Sequence, residues 1–131
     1  MSDVYEIRKI SLPVSGFTKL AEETEAEGHM FLHRMGVEWS GGANRFSLSG
    51  ETMFGAFVDE RLVGVGGLNL CPYSDDLEIG RIRHLFVEKE YRNKGIAGAL
   101  IFQILAVAAD NFETVRLRTI NPAAIALYEK Y

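Results

Sequence analysis

Alternating and β-prone stretches predict the strands in the first half of the chain. Residues 4–10 alternate between apolar and polar side chains closely enough to predict a first strand. Residues 51–58 and 62–70 are two β-prone runs, and the short polar segment 59–61 between them predicts a hairpin. Three glycines thin the second run, which favours a bulge or a close neighbour there: Gly64, Gly66 and Gly67.

Helical spacing governs the segment between those strands. Apolar residues recur every three or four positions from Phe17 to Met35, which predicts an amphipathic helix with a candidate break at Gly28. Four glutamates fall on the opposite face of this helix: Glu22, Glu23, Glu25 and Glu27. Residues 36–50 are rich in glycine and serine and predict a loop, a kind of segment that often carries specificity.

The second half of the chain twice places a strand before a helix. Residues 81–87 predict a strand, and the sequence YRNKGIAGAL then opens a helix that runs to about Asp110. Residues 114–119 predict another strand. Asn121 and Pro122 then mark the start of a second helix, because Asn is a preferred N-cap and Pro suits the first helical position. With no repeat, linker or low-complexity segment, residues 1–131 are predicted to form a single domain.

Composition narrows the classes of partner. The chain has 131 residues, 47% of them hydrophobic and 24% charged, and a net charge of −4 that argues against nucleic-acid or anionic-membrane binding. Cys71 is the single cysteine, so no internal disulfide or cysteine zinc site can form. The N-terminus lacks the pattern of a signal peptide, and the longest apolar stretch is too short to span a bilayer. We therefore expect a soluble protein of the cytoplasm.

The small residues that open the helix after residue 87 are the first candidate for chemistry. Glycine inside a helix costs about 1 kcal/mol relative to alanine, so Gly95 and Gly98 indicate close backbone approach. One interpretation is that unpaired N–H groups at a helix start bind a phosphate there, and the other is that the helix packs tightly on the sheet. A Walker A loop and a dinucleotide fingerprint are both excluded, because neither pattern fits.

Residues 92–97, Arg-Asn-Lys-Gly-Ile-Ala, resemble the pyrophosphate loop of the GNAT superfamily of acetyl-CoA-dependent N-acetyltransferases. Leu85-Phe86-Val87 resembles the family strand before that loop, and residues 121–124 followed by 126–129 resemble the last family motif. Together with the hairpin, these matches cover about residues 51–131. The implied fold is an α/β sandwich of the α+β type, with a mixed, mainly antiparallel central sheet, helices on both faces, and without the usual C-terminal strands.

The resemblance also implies roles for individual residues. Tyr128 matches the tyrosine that protonates the departing thiolate, and a core tyrosine is the alternative. The strand backbone at residues 85–87 would bind the pantetheine arm and the thioester oxygen, and main-chain N–H groups of the loop would hold the pyrophosphate. Asn121 would contact the cofactor arm or serve only as an N-cap. The acetyl-CoA-binding set is therefore Leu85, Phe86, Val87, Arg92, Asn93, Lys94, Gly95, Ile96, Ala97, Gly98 and Asn121.

The general base is the least defined element of this resemblance. Family members often carry a Glu or His base on the strand before the loop, on the face of the residue at Val87. Simple alternation would place Leu85, Arg83 and Arg81 on that face and His84 on the other. Because arginine cannot act as a base, we expect Arg81 and Arg83 to bind an anion on the acceptor, or alternatively to pair with Asp75, Asp76 or Glu78. Glu78 and Glu38 are further candidates for the base.

The resulting prediction is transfer of an acetyl group from acetyl-CoA to a primary amine of a small molecule by direct attack. A non-catalytic acyl-CoA-binding or sensor module is the first alternative, and an unrelated α/β structural domain is the second. Family domains usually continue beyond the last motif. We therefore expect either that the chain is a shortened form or that a second copy covers the sheet edge in a homodimer. Trp39, Asn44, Arg45 and Phe46 either line the acceptor site or close the core.

Overall fold

A five-stranded sheet in the order β1-β2-β3-β4-β5 organises the computed structural model, which describes residues 5–48, 50–70, 79–112 and 114–117. The strands are β1 (Glu6–Lys9), β2 (Thr52–Val58), β3 (Arg61–Leu70), β4 (Ile79–Val87) and β5 (Thr114–Leu117). Strands β1 to β4 pair antiparallel, and β5 pairs parallel to β4. The helices are α1 (Phe17–Ala26), α2 (Phe31–Gly41) and α3 (Ile96–Asn111).

Helices cover both faces of this sheet. Helices α1 and α2 pack on one face, where the buried cluster includes Leu20, Leu32, Val65 and Phe86. Helix α3 packs on the other face through Ile96, Leu100 and Ile104, which contact residues such as Val87 and Leu68. The mixed, mainly antiparallel sheet with helices on both faces confirms the predicted fold class. Within the described residues, no helix has the length and apolar character needed to cross a membrane.

The predicted break in the first helix is confirmed, and the predicted loop after it begins too early. Helix α1 ends at Ala26, and Gly28 has a left-handed φ of +87° before α2 begins at Phe31. Helix α2 continues through Gly36 to Gly41, because its apolar spacing persists as far as Trp39. The aromatic ring of Phe17 lies 3.3 Å from the place where a β-carbon of Gly36 would stand, so glycine fits this helix contact.

The predicted hairpin is confirmed as a tight two-residue turn. Val58 pairs with Arg61, and both Asp59 and Glu60 adopt positive φ angles, 50° and 66°. This backbone matches the right-handed twist of the two strands. The side chain of Glu60 then accepts hydrogen bonds from both terminal nitrogens of Arg8 on β1, at 3.1 and 2.8 Å.

The strand and helix of the second half also lie where the pattern predicts them. Strand β4 and helix α3 are joined by a short connection that contains one 3₁₀ turn, Lys89–Tyr91. Strand β5 is described for residues 114–117, next to β4 and parallel to it. The helix predicted after Asn121 and Pro122 lies outside the described residues, as do Asp75, Asp76 and Glu78.

Candidate active site

At the start of α3, three backbone N–H groups have no hydrogen-bond acceptor within the helix. The first helical hydrogen bond runs from Ala99 N to Gly95 O at 3.0 Å, so the N–H groups of Ile96, Ala97 and Gly98 have no acceptor within the helix. No side chain in the described ranges caps this end, and the first turn contains no acidic residue. A 16-residue helix therefore presents the positive end of its dipole at this point.

Gly95 and Gly98 have different roles. Gly95 is exposed, has a left-handed φ of +86°, and would place a β-carbon no closer than 3.6 Å to its nearest neighbour, Tyr5 Oη. Gly98 is buried within the helix, as the packing interpretation requires. Because Gly95 has no side chain, nothing at that residue obstructs an anion that approaches these N–H groups.

The side chain of Arg92 is held by the protein. Its Nε donates to the carbonyl oxygen of Val87 at 2.9 Å. One terminal nitrogen donates to both carboxylate oxygens of Glu27, at 2.9 and 2.7 Å. The neighbouring loop residues Asn93 and Lys94 are exposed, and Asn93 has a positive φ of 64°.

At the end of β4, the backbone N–H and C=O groups of Val87 point away from β3. Glu88 N donates to Val63 O on the β3 side at 2.8 Å. Because backbone groups alternate along a strand, the N–H and C=O of Val87 point to the opposite edge, toward β5. The described pairing of β4 with β5 ends at Ile82 and Leu117, so any opening of the two strands lies beyond the described part of β5. The side chains of Leu85 and Val87 lie on the α3 face, and Phe86 lies on the α1–α2 face.

A bulge in β4 changes which side chains share a face. Val65 pairs with Phe86 and Gly67 pairs with Arg83, so two residues, His84 and Leu85, stand opposite the single residue Gly66. His84 has the positive φ of 58° that the extra residue requires.

The prediction that Arg81 and Arg83 share a face with Val87 is therefore wrong. Arg83 lies opposite Gly67 and Arg81 lies opposite Asn69, both on the α1–α2 face. Simple alternation failed because it assumes equal numbers of residues on the two strands. His84 does lie on the face opposite to Val87, as expected, but it shares that face with both arginines.

His84 occupies an aromatic setting on that face. Its ring stacks on Phe31 with centroids 6.0 Å apart and meets the edge of Phe46 at 6.0 Å. Its Nε2 atom is buried and has no hydrogen-bond partner among the residues that the structure describes. Burial, with the nearby charges of Arg83 and Arg81, lowers the pKa of His84 to about 3. So weak a base is poorly matched to removing a proton from an amine, which favours a structural role for His84 over a catalytic one.

A polar cleft of about 360 Å³ opens beside Arg83 on the same face. Asn44 and Asn69 form a reciprocal amide pair at 3.0 and 3.1 Å, and Glu51 accepts from Asn69 at 2.9 Å. Glu38, Arg45 and Ser47 complete the polar lining. Of the loop residues with two possible roles, Asn44 and Arg45 therefore line the cleft.

Of the two aromatic residues, Phe46 closes the core, and Trp39, which lies in α2, packs against it. Phe46 is 4% exposed, and its ring stacks on Trp39 with centroids 5.8 Å apart. Both rings pack in the cluster between α2 and the sheet.

Two predicted site residues, Asn121 and Tyr128, lie outside the described residues. Within the described ranges, no group of His, Cys, Asp or Glu side chains is arranged to hold a metal ion. The pairing of Glu27 with Arg92 was missed by the sequence interpretation, which placed Glu27 only on the polar face of a helix. The two residues are 65 positions apart, so local patterns carry no signal for their contact.

Solved structures share this fold. A protein of Exiguobacterium sp. 255-15 that is assigned as an acetyltransferase is 23% identical to this chain. Its TM-score is 0.85, over 97% of this chain and 83% of that one. A GNAT-family acetyltransferase of Streptococcus pneumoniae is 17% identical, with a TM-score of 0.69 over the same shares. The ribosomal-protein-alanine N-acetyltransferase of Brucella melitensis biovar Abortus 2308 is 21% identical, with a TM-score of 0.67 over 97% and 90%.

A family model gives the assignment. The model described as the acetyltransferase (GNAT) family matches residues 17–131, which include every helix and all but the first strand of the described fold. That match agrees with the motifs at the end of β4 and the start of α3. This chain belongs to the GNAT family of acetyltransferases.

Proposed function

We propose that this chain transfers the acetyl group of acetyl-CoA to a primary amine of a small molecule. The observation that carries the proposal is the juxtaposition of two sets of backbone donors. The first N–H groups of α3, beside the exposed Gly95, have no acceptor within the helix. The Val87 N–H points from the end of β4 toward the β5 edge. Membership of an acetyltransferase family supports acetyl transfer by this pair of sites.

In this proposal the start of α3 holds the pyrophosphate of acetyl-CoA. The N–H groups of Ile96, Ala97 and Gly98 donate to its oxygens, and the helix dipole favours its negative charge. Gly95 has no side chain, which lets those oxygens approach the backbone. Asn93 and Lys94 belong to the same loop and add a polar and a charged side chain to it.

The edge of β4 then orients the thioester. An extended pantetheine arm can pair with a strand backbone as an additional strand would, along residues 85–87. The Val87 N–H points to that edge and donates to the thioester oxygen as negative charge develops there. A neutral amine attacks the carbonyl carbon, so that a C–N bond forms and the C–S bond breaks. The departing thiolate takes a proton from Tyr128, and water takes the proton of the amine.

The acceptor side of the site is assigned to the α1–α2 face. Arg83 lines the polar cleft there, and Arg81 lies two positions away on the same face. Arginine forms paired hydrogen bonds with carboxylates, so the acceptor in this proposal carries an anionic group besides its amine. The contacts between Asn44, Asn69 and Glu51 hold the wall of the cleft in place.

A non-catalytic acyl-CoA-binding module is the second candidate, and one observation favours it. Family members often carry a base on the strand before the loop, whereas the described part of β4 carries arginines and the weakly basic His84, all on the face opposite to Val87. Such a module keeps the two sets of backbone donors and binds acetyl-CoA without turning it over.

An amine panel separates the two candidates. Thiol release from acetyl-CoA is measured with primary amines that do and do not carry a carboxylate. Amine-dependent release, faster with the carboxylate-bearing members, supports the proposal. Calorimetric binding of acetyl-CoA without release for any amine supports the non-catalytic module, and absence of binding contradicts both.

A further inference from the structure

The connection between β4 and α3 is tied to helix α1 through Arg92. Arg92 forms a paired hydrogen bond with Glu27, which lies directly after the last helical residue of α1. Nearby, the negative charge of Glu23 on α1 acts on Glu88, which forms an ion pair with Arg61. Glu23 and Glu27 are four residues apart, so they project from the same side of α1.

Arg92 links the end of α1 to the backbone carbonyl group of Val87. Its Nε donates to Val87 O at 2.9 Å while its terminal nitrogen holds Glu27 at 2.7 Å. Its guanidinium carbon lies 5.3 Å from the centroid of the Phe86 ring, which supports the planar group from one side. Contacts in three directions fix the guanidinium, and the guanidinium in turn fixes the orientation of the Val87 carbonyl.

The fixed carbonyl belongs to the residue whose N–H serves the reaction. Rotation about the backbone bonds of Val87 moves its C=O relative to its N–H, so an anchored C=O limits the directions that the N–H can take. A donor to a developing oxyanion must already be oriented before the reaction if it is to lower the barrier. The carboxylate of Glu27 also neutralises Arg92 beside the start of α3.

We infer that Glu27 and Arg92 are positioning residues for acetyl transfer, which hold the carbonyl group of Val87 in place through the Arg92 Nε hydrogen bond and thereby limit the orientation of the N–H of the same residue. The inference rests on the proposed function for its effect on the reaction. Arg92 then acts through its contacts with Val87 and Glu27 and is not a direct ligand of the pyrophosphate. Glu27, the first residue after α1, thereby affects acetyl transfer at the end of β4.

The test compares Glu27→Gln and Arg92→Gln with a matched control, Glu60→Gln. Glu60 also holds an arginine through paired hydrogen bonds, but it does so on Arg8 at the β2–β3 turn. The first measurement is the carbonyl ¹³C resonance of Val87 in the protein without acetyl-CoA. We expect both Glu27→Gln and Arg92→Gln to shift it, and Glu60→Gln to leave it unchanged. An unchanged resonance in Glu27→Gln overturns the inference, whatever the protein does with acetyl-CoA.

The second measurement separates positioning from binding. We expect Glu27→Gln and Arg92→Gln each to lower kcat about tenfold, because a misdirected donor loses part of its effect on the barrier. The dissociation constant of acetyl-CoA should stay within about twofold, since backbone donors of α3 hold the pyrophosphate. The double variant should lose no more kcat than either single variant, because both changes release the same contact.

Two outcomes contradict the inference here. If Arg92→Gln weakens acetyl-CoA binding more than about tenfold while Glu27→Gln leaves it unchanged, Arg92 is a direct anion ligand. If the losses in kcat of the two single variants multiply in the double variant, the residues act independently. Failure of the wild-type protein to bind acetyl-CoA would refute the proposed function. The Val87 resonance would still decide whether the hydrogen bond from Arg92 orients the Val87 carbonyl group.

Discussion

The ring of Phe46 packs so closely on Gly67 of β3 that a β-carbon at Gly67 would overlap Cε1 of the ring. Phe46 also stacks on Trp39 of α2 and meets the ring of His84 at its edge, with centroids 6.0 Å apart. One glycine therefore brings the loop after α2 into contact with the bulge of β4.

Gly67→Ala should destabilise the protein by about 1–3 kcal/mol, because the added methyl group overpacks the contact with Phe46. Gly64→Ala in the same strand is the control, since its nearest neighbour, the carbonyl oxygen of Phe86, would lie 3.3 Å from the new carbon. Urea denaturation of both variants gives the free energies of unfolding. Equal losses in the two variants would show that the Phe46 contact is not the constraint.

The low pKa of His84 should appear in the pH dependence of stability. Burial and the charges of Arg83 and Arg81 lower this pKa to about 3, below the value of about 6.5 in the unfolded chain. The unfolded state therefore binds more protons between these values, and stability falls as pH falls through this range. Between pH 7 and pH 5, this single group should cost the native state up to about 2 kcal/mol.

His84→Asn removes the titrating group and tolerates the positive φ at this position. The measured quantity is the change in unfolding free energy between pH 7 and pH 5 in each protein. Most of the acid-induced loss attributed to His84 should be absent from the variant, whatever its stability at pH 7. Parallel pH profiles for the two proteins would contradict the assigned burial of the ring.

Glu23→Gln should stabilise the protein at neutral pH. Burial raises the pKa of Glu23, and repulsion from Glu88 raises it further, against the opposing charges of Lys19 and Arg61. A raised native pKa means that the favourable contribution is complete below the unfolded-state pKa and is lost as pH rises through the native pKa. Glutamine removes the charge and brings an N–H donor for Glu88.

The gain should be less than about 1 kcal/mol, because solvent screens this partly exposed group. It should shrink when the same two proteins are compared below the unfolded-state pKa of the glutamate. Thermal unfolding at pH 7 and at acid pH supplies both comparisons. A loss of stability at pH 7 would mean that Glu23 serves there as a favourable charged partner.

Arg83→Met tests the assignment of the acceptor side. Methionine keeps an unbranched side chain beside the cleft and removes the guanidinium, so an anionic acceptor should bind about ten- to a hundredfold more weakly. The expected result is a raised acceptor KM for carboxylate-bearing amines and a small effect for amines without one. Unchanged KM and kcat for every acceptor would remove Arg83 from the site.

The order of elements was accessible from the sequence because it rests on local patterns. The break at Gly28, the turn at Asp59 and Glu60, and the start of α3 each involve residues adjacent in the chain. The glycines of β3 also indicated a bulge or a close neighbour, and the structure contains both. These features depend on backbone geometry that one or two residues determine.

The faces of β4 were not accessible in the same way. One extra residue at His84 reverses the side on which Arg81 and Arg83 lie, and no local pattern shows which strand carries that residue. The contact of Glu27 with Arg92 joins two surface-type residues across the fold, and the spacing of α1 indicated only a polar face. Both errors concern long-range pairing, which a periodic pattern does not contain.

Calorimetric titration with acetyl-CoA tests the central claim, that the start of α3 holds the cofactor pyrophosphate. Gly95→Glu places a negative side chain in that space, and Gly42→Glu adds the same charge at another exposed glycine of positive φ, after α2.

We predict that the wild-type protein and Gly42→Glu bind acetyl-CoA with constants within about twofold, while folded Gly95→Glu binds at least about tenfold more weakly. Equal binding by Gly95→Glu, or no binding by the wild-type protein, would contradict the account.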